Sequence, residues 1–473
     1  MFVGREEYLK DLNDFWGRDS GVLVTCRGRR RIGKSTLIEE FASTSAERFY
    51  SIDGLAPHKR MTDELQRRHF CEKVAEYAGR AFKMASTWSE AFAQLDEILS
   101  GRMRTVVLLD EISWLGGYNP DFAGYLKEAW DKKLRKHPNL IFVLCGSVSA
   151  WIAENILDST GFVGRDSLDL EIKELSLSDS VKVMGAERLS VAEKLDLLSI
   201  TGGVPKYLEE MRPQLTVEEN MRRTCFQPRG ILFREFDETF SSVFGRRTAT
   251  RGRILRMLAN GPRSAAELAV DDGKEANGSY AKALKDLRYA GFISGDSGLN
   301  PMTGEPLRQE RFRISDNYTR FYLRYVEPKK PAIANGIFKF TSIEQLHGWE
   351  GVLGLQFENL VLNHVTDLFP LLGLDHTLVL SAAPYTQNAT KERPGCQIDL
   401  LIQTQRTLMV VEIKRRREIG HSVMDEVSEK VRRLGRRKGM SVRTALIYAG
   451  DLAKSVPAEG YFDFIVPAES LFT

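Results

Sequence analysis

Residues 28–35 read Gly28-Arg29-Arg30-Arg31-Ile32-Gly33-Lys34-Ser35, a complete G-x-x-x-x-G-K-S stretch, and its reading decides the fold of the front of the chain. It follows the apolar run 21–26 (GVLVTC), which has the character of a buried strand, and it precedes 36–42, which reads as the first turns of a helix. Strand, loop and helix in that order are the context a phosphate-binding loop requires. Gly28 and Gly33 let the backbone curl so that its N–H groups line an anion nest at a helix N-terminus. Lys34 is expected to reach the β- and γ-phosphates of a bound nucleotide, and the Ser35 hydroxyl to ligate Mg²⁺. The nucleotide contact set expected here is Gly28, Arg31, Ile32, Gly33, Lys34, Ser35 and Thr36.

The remainder of the chain bounds what surrounds this loop. With 473 residues it is too long for one core, and about three domains are expected. Apolar residues make up 42% and charged residues 28%, as in ordinary soluble proteins. A net charge of +3 argues neither for nor against nucleic acid, so the distribution of charge must decide. Cys26, Cys71, Cys145, Cys225 and Cys396 are far apart and form no C-x-x-C pair. They fit free thiols in a reducing cytoplasm and exclude a disulfide or zinc framework. The opening MFVGREE lacks the shape of a signal peptide, and the richest apolar stretch, 140–153, is interrupted by Gly146, Ser147 and Ser149. A cytoplasmic protein without membrane segments is expected.

A second apolar strand, 105–109, ends in Asp110-Glu111, the hhhhDE pattern of a Walker B strand. Asp110 would hold Mg²⁺ through water and Glu111 would polarise the attacking water. Between the two motifs, 57–99 has helical spacing. A third strand, 139–145, ends in Gly146-Ser147. In ATPases with an additional strand a polar residue at this place senses the γ-phosphate; Ser147 fits that role, and it fits equally a turn residue after a strand. Arg165, after Gly164, is a candidate trans-acting or sensor arginine, with an ordinary surface arginine as the alternative. Residues 201–208 (TGGVPKYL) place two glycines and Pro205 at the head of an amphipathic helix, a rigid turn expected to face the nucleotide from a helical lid.

FVGREEYLKDL, GRRRIGKSTL, VVLLDEISWL, FVLCGSVSAWI, GFVGR and GGVPKYL, six motifs in order over residues 1 to about 240, together resemble the archaeal-type P-loop ATPases, a branch related to AAA+ and STAND switches. The resemblance implies that Phe2, Val3, Gly4 and Arg5 lie against the adenine and that Pro205 lies near the base. It allows a homo-oligomer. The triple arginine Arg29, Arg30 and Arg31 is unusual for the loop; outward-pointing side chains touching an oligomer neighbour or a polyanion are expected.

From 241 to 330 the pattern changes to short helices: 253–258, then a stop at Asn260-Gly261-Pro262, then 265–268 capped by Ser264, then 277–290. The last carries Tyr280, Leu284 and Leu287 on one face, with Lys282, Lys285 and Arg288 elsewhere. A strand pair around the turn 300–304 follows. Three helices and a hairpin are the layout of a winged helix-turn-helix, with Lys282, Lys285, Arg308 and Arg311 expected on DNA phosphates, or of a packing module of the same shape. The segment 316–322 (DNYTRFY) resembles the one that joins this family's winged helix to its C-terminal region.

Residues 331–473 carry the second chemical signal. The strand 397–402 (QIDLLI) holds Asp399, and 408–413 (LMVVEI) holds Glu412, followed by Lys414. A charge inside an apolar strand is costly unless it is paired or binds a metal. Alternation puts Glu412 and Lys414 on one face, and carboxylates on successive strands can share a divalent cation that activates water against a phosphate. The helix 354–365 places Glu358 within an apolar face as a third acidic contributor. This E…D…ExK arrangement resembles the PD-(D/E)xK nuclease superfamily and its restriction-endonuclease-like domains; Ile398 stands where a proline is frequent. Basic runs, Arg415, Arg416, Arg417 and then Lys430, Arg432, Arg433, Arg436, Arg437, Lys438, are expected to track phosphates.

The expected fold is therefore α/β: a P-loop NTPase with a parallel sheet and helical lid (1–240), a winged helix-turn-helix (241–330) and an α/β restriction-endonuclease-like domain (331–473). The expected function is an ATP-hydrolysing switch coupled to a metal-dependent DNA nuclease acting in genome defence, mobile-element biology or DNA processing. The alternative is a nucleotide-gated DNA-binding regulator or scaffold whose nuclease-like domain does not cut. Expected cofactors are ATP or ADP with Mg²⁺, and Mg²⁺ or Mn²⁺ at Glu358, Asp399 and Glu412.

Overall fold

The computed structural model describes residues 2–99, 101–147, 149–159, 162, 164–245, 248–273, 278–391 and 394–473. Val148, Gly161 and Val163 of the quoted motifs, and Asn277 at the head of the expected third helix, lie outside the described residues. By contact the chain divides into two compact units, Met1–Lys173 and Glu174–Thr473.

In the first unit the described residues form a five-stranded parallel sheet of β1 (Val22–Arg27), β2 (Arg48–Asp53), β3 (Thr105–Asp110), β4 (Leu140–Gly146) and β5 (Asp166–Glu171), ordered β2-β3-β4-β1-β5. Strands β1, β3 and β4 are near-continuous apolar runs because both faces are covered, as parallel strands require. Helix α1 (Lys34–Ser45) follows β1 directly. The expected helical region resolves into α2 (Asp63–Ala78) and α3 (Trp88–Ile98), each started by a threonine side chain, Thr62 or Thr87, that accepts from a first-turn N–H. With α4 (Phe122–Lys132) they close one side of the sheet around Phe70, Trp88, Phe92 and Phe122, whose rings meet mostly edge to face. Strand β4 lies between β1 and β3, so the ends of the loop-bearing strand and the acidic strand open on either side of an inserted strand.

The second unit begins with helices, among them α5 (Val191–Thr201), which starts in a reciprocal Ser190–Glu193 capping box. Helices α6 (Thr248–Leu258), α7 (Ala265–Asp271) and α8 (Gly278–Tyr289) pack with a small antiparallel sheet of β6 (Arg263–Ser264), β7 (Ile293–Asp296) and β8 (Arg311–Ile314), ordered β6-β8-β7. Ser264 caps α7 as its sequence indicates. In α8, Tyr280, Leu284 and Leu287 are buried while Lys282, Lys285 and Arg288 are exposed. Helix α9 (Asn317–Phe321) then leads to α10 (Trp349–Asn363). A mixed sheet ends the chain: β9 (Ser381–Gln387), β10 (Cys396–Gln403), β11 (Thr407–Ile419), β12 (Ser441–Leu452) and β13 (Phe464–Pro467), ordered β13-β12-β11-β10-β9. Pairings β9–β10 and β10–β11 are antiparallel, while β11–β12 and β12–β13 are parallel. Helix α11 (Ser422–Arg433) makes the crossover from β11 to β12.

The sequence places its first boundary near 240, whereas the contacts divide the chain at 173/174. The reason is a buried polar network. Gln356 of α10 donates to the carbonyls of Ser199 (2.7 Å) and Asn317 (2.8 Å), and Asn317 donates to Leu198 (3.2 Å). Arg320, 2% exposed, donates to Gln356 Oε1 (2.6 Å) and to the Ile314 carbonyl (3.2 Å). Such groups must be satisfied where they are buried, and they fasten α5, α9 and α10 together.

Candidate functional site

The 28–35 loop sits where its sequence demands, between β1 and α1. Gly28 has φ +147°, and a Cβ there would lie 2.5 Å from the Ile172 carbonyl oxygen; Gly33, with φ +89°, precedes the first turn of α1. Lys34 is 7% exposed, and its ammonium donates to the carbonyls of Gly28 and Arg29, both at 3.1 Å. Ser35 Oγ donates to Asp110 Oδ2, so the two residues expected to share Mg²⁺ already touch. Ile32 is buried and Thr36 exposed at the start of α1.

Asp110 ends β3. Glu111 follows in a left-handed conformation (φ 47°, ψ 48°), which costs a non-glycine residue about 1–2 kcal/mol. That turn aims the Glu111 carboxylate at Ser147, whose Oγ donates to Oε1 (3.0 Å) and Oε2 (2.9 Å). The end of the inserted strand and the expected water-polarising glutamate are thus in direct contact. Two further carboxylates were not singled out in the sequence. Asp53 ends β2 in register with Asp110, and its carboxyl is pushed up by burial and then by the Asp110 charge. Glu39 on α1 is raised by burial, Asp110 and Asp53. Their signal was available: an acidic residue at the end of the next strand and another one turn into the helix. The oxygen donors at Ser35 and Asp110 fit a hard divalent cation, and the mutual repulsion of these carboxylates is what such a cation relieves.

At the N-terminus, Arg5 (φ 74°) donates from its guanidinium to the Ile32 carbonyl (3.3 Å), bringing the Phe2, Val3, Gly4 and Arg5 segment beside the loop. The three loop arginines do not all point outward as expected. Arg29 is 6% exposed, Arg30 is half-buried with its guanidinium 6.0 Å from the Trp114 ring centroid, and Arg31 is exposed. A loop wound round an anion nest presses its first side chain into the domain, so the outward reading holds for Arg31 alone. Arg165 forms a forked pair with Asp131 of α4 (2.7 and 3.0 Å). Pro205 opens a short helix, Pro205–Leu208, in the second unit.

The second unit brings Asp399, Glu412 and Lys414 together. Antiparallel pairing of β10 and β11 sets Asp399 beside the Glu412 strand, where its Oδ2 accepts from the Ile413 N–H (3.0 Å). Glu412 is fully buried, and its Oε1 lies 2.7 Å from Lys414 Nζ, which also reaches Glu426 of α11 (2.8 Å). Glu358 on α10 is driven up to about 7 by burial and then by the Asp399 charge. Burial and the Glu412 charge raise Asp399 as well. The sequence reading missed the role of Lys430. Placed there among surface cations, it turns inward from α11, its ammonium 2.5 Å from Glu412 Oε2 and 3.4 Å from Asp399 Oδ1. Burial lowers its basicity, but the two carboxylates outweigh that, and its pKa is raised. The helical spacing of Lys430 with buried Val423 and Val427 was the available signal.

Other expected phosphate contacts are also committed elsewhere. Arg415 pairs with Asp196 of α5 (2.5 Å), and Arg432 and Arg433 both pair with Glu429. Arg311 lies 3.3 Å from Glu267 and donates to the Pro262 carbonyl. The loop between β7 and β8 rests on the C-terminal sheet, with the Leu299 carbonyl accepting from Gln403 (2.5 Å) and the Pro301 carbonyl from the Arg437 N–H (3.1 Å). Arg416 lies 3.8 Å from Glu426 and Lys285 5.3 Å from the Tyr289 ring centroid, and both are exposed, as are Lys282, Arg417, Arg436 and Lys438. Among the described residues, no group of three or more His, Cys, Asp or Glu side chains is arranged to hold a metal, and no helix is long and apolar enough to cross a membrane. The carboxylate oxygens of Asp399 and Glu412 are of the right chemistry for a divalent cation, and Lys430 presently supplies the positive charge between them.

Residues 2–211 match the family of ATPase domains found predominantly in Archaea. An uncharacterized protein of Methanocaldococcus jannaschii, MJECL04, is 25% identical over 372 residues, covering 78% of each chain. Among solved structures, the Walker-type ATPase PABY2304 of Pyrococcus abyssi is similar in fold, with a TM-score of 0.51 and 19% identity over 68% of this chain and 96% of that one. The Aeropyrum pernix ORC2 protein gives a TM-score of 0.40 at 14% identity, over 70% and 94%. The family match and the loop geometry together support an ATPase domain over residues 2–211.

Proposed function

We propose that this ATPase-bearing chain is a nucleotide-driven switch that governs a divalent-metal-dependent DNA nuclease of the PD-(D/E)xK type at 331–473, with 241–330 serving as a winged helix-turn-helix. The observation that carries the reading is the meeting of Asp399, Glu412 and Lys414 on neighbouring strands beside a helix bearing Glu358. In the first unit, Lys34 would leave its loop carbonyls for the nucleotide phosphates. Ser35 and Asp110 would hold Mg²⁺, Glu111 would orient the attacking water, and Ser147 would report the γ-phosphate through Glu111. Arg165 is a candidate arginine for an oligomer neighbour once it parts from Asp131.

In the second unit, Asp399 and Glu412, with Glu358 behind them, would hold a Mg²⁺ or Mn²⁺ ion, which when bound supplies Lewis acidity and a nucleophilic water. Lys414 would position that water or neutralise the scissile phosphate. Lys282 and Lys285 on α8, together with Arg416, Arg417, Arg436 and Lys438, offer exposed charge for a DNA backbone. A second reading, a DNA-binding regulator whose nuclease-like domain does not cut, is favoured by one observation: Lys430 already neutralises Asp399 and Glu412.

The test is incubation of supercoiled and linear DNA with Mg²⁺ or Mn²⁺, with and without ATP, for wild type, Lys34→Ala and Asp399→Ala. Cleavage lost in Asp399→Ala and altered in Lys34→Ala is expected. DNA left intact by wild type under every condition removes the nuclease, and cutting unchanged by Lys34→Ala removes the coupling.

A further inference from the structure

The oxygens around Asp399 and Glu412 are all assigned. Asp399 Oδ2 accepts from the Ile413 backbone N–H, and Glu412 Oε1 faces Lys414. Asp399 Oδ1 and Glu412 Oε2 face one another across the Lys430 ammonium, at 3.4 and 2.5 Å. Mg²⁺ requires oxygens at about 2.0–2.1 Å in near-octahedral geometry. An ion bound by those two oxygens would therefore stand where the ammonium stands.

We propose that Lys430 is an internal counter-ion for the metal-free site, and that it must swing out of the gap between Asp399 and Glu412 before a divalent cation can enter. This rests on the metal-dependent reading given above and adds its regulation: the site is held closed by its own lysine. The displaced side chain projects from the last turn of α11, where an arriving phosphate would provide the anion that draws it away. Metal loading and DNA arrival thereby favour one another. Lys430 acts through the metal ligands and is a positioning residue, not a catalytic one.

The experiment is calorimetric titration of Mn²⁺ into the full-length chain, together with melting curves with and without Mn²⁺, for wild type, Lys430→Met, Lys430→Gln and Asp399→Asn. Lys430→Met is expected to bind Mn²⁺ at least about tenfold more tightly than wild type. Its melting temperature should lie below wild type without metal, because Glu412 loses a partner, and rise above wild type when Mn²⁺ is added. Lys430→Gln, which keeps a polar tip without the charge, should move in the same direction and covers the case in which methionine prevents folding. Asp399-dependent Mn²⁺ binding that is equal or weaker in both lysine variants overturns the counter-ion role while leaving the metal site standing. Absence of Asp399-dependent binding in wild type and in both lysine variants overturns the metal-dependent reading itself, and the counter-ion role with it.

Discussion

Replacing Glu358 by glutamine should flatten part of the pH dependence of the second unit's stability in metal-free buffer. The Glu358 carboxyl is pushed from an ordinary value of 4.5 to about 7, first by burial and then by the Asp399 charge. The folded chain therefore holds this proton more tightly than the unfolded chain does. The resulting stabilisation is complete below pH 4.5 and disappears as pH rises through about 7. At about 1.36 kcal/mol per unit the whole effect amounts to about 3 kcal/mol, of which about 2.5 kcal/mol falls between pH 5 and pH 8. The stability difference between wild type and Glu358→Gln should shrink by that amount over this interval. Trp349, at the start of α10, is the sole tryptophan beyond residue 173. In protein labelled with 5-fluorotryptophan, its ¹⁹F resonance, assigned by Trp349→Phe, reports urea unfolding of the second unit without interference from the first. Added Ca²⁺ should reduce the wild-type slope, since a cation beside Asp399 offsets the charge that holds the proton on Glu358. Parallel pH profiles for wild type and variant in EDTA would refute the reasoning.

Three further outcomes are expected. Ser147→Ala should leave nucleotide affinity near wild type but slow ATP turnover roughly 10- to 100-fold, the equivalent of one lost hydrogen bond to a charged group, measured by steady-state phosphate release. Gln356→Ala removes the side-chain acceptor of the buried Arg320 guanidinium, which keeps the Ile314 carbonyl, and the donor to the Ser199 and Asn317 carbonyls. It should destabilise the second unit by about 3 kcal/mol in the fluorotryptophan assay while the first-unit resonances melt unchanged. The double substitution Lys282→Glu, Lys285→Glu should weaken DNA binding and lower the slope of log K against log salt by about 2, measured by fluorescence anisotropy; an unchanged slope removes α8 from the DNA contact.

The phosphate loop, the acidic strand end and Ser147 were legible because each stands at the end of an apolar run, where strand geometry leaves little choice of position. Asp399, Glu412 and Lys414 were legible for a related reason: a charge within a buried strand has to be accounted for. Arg29 and Lys430 were misread because a positive side chain near other positive side chains looks like surface until the backbone fixes its direction. Arg415 was likewise assigned to phosphate, while its true partner, Asp196, lies 219 residues away in sequence. Strands β2, β9 and β13 carry mixed or half-exposed residues and gave no apolar run to find. The division at 173/174 has no sequence signal for the same reason as Asp196: Gln356 and Asn317 bond to the carbonyls of Ser199 and Leu198, and carbonyls carry no sequence signature.

Helix α5 receives hydrogen bonds at Leu198 and Ser199 from α9 and α10, and at Asp196 it anchors Arg415 of the strand that bears Glu412. A junction at 240 would part α5 from all three partners, and one at 330 would keep Asn317 but remove Gln356 and Arg415, leaving the Ser199 carbonyl and the Asp196 carboxylate without their mates. Exchange at 173/174 would carry the whole set across intact. Residues 174–473 therefore hold this set of bonds together as one block, which includes the tail of the family-matched segment 2–211.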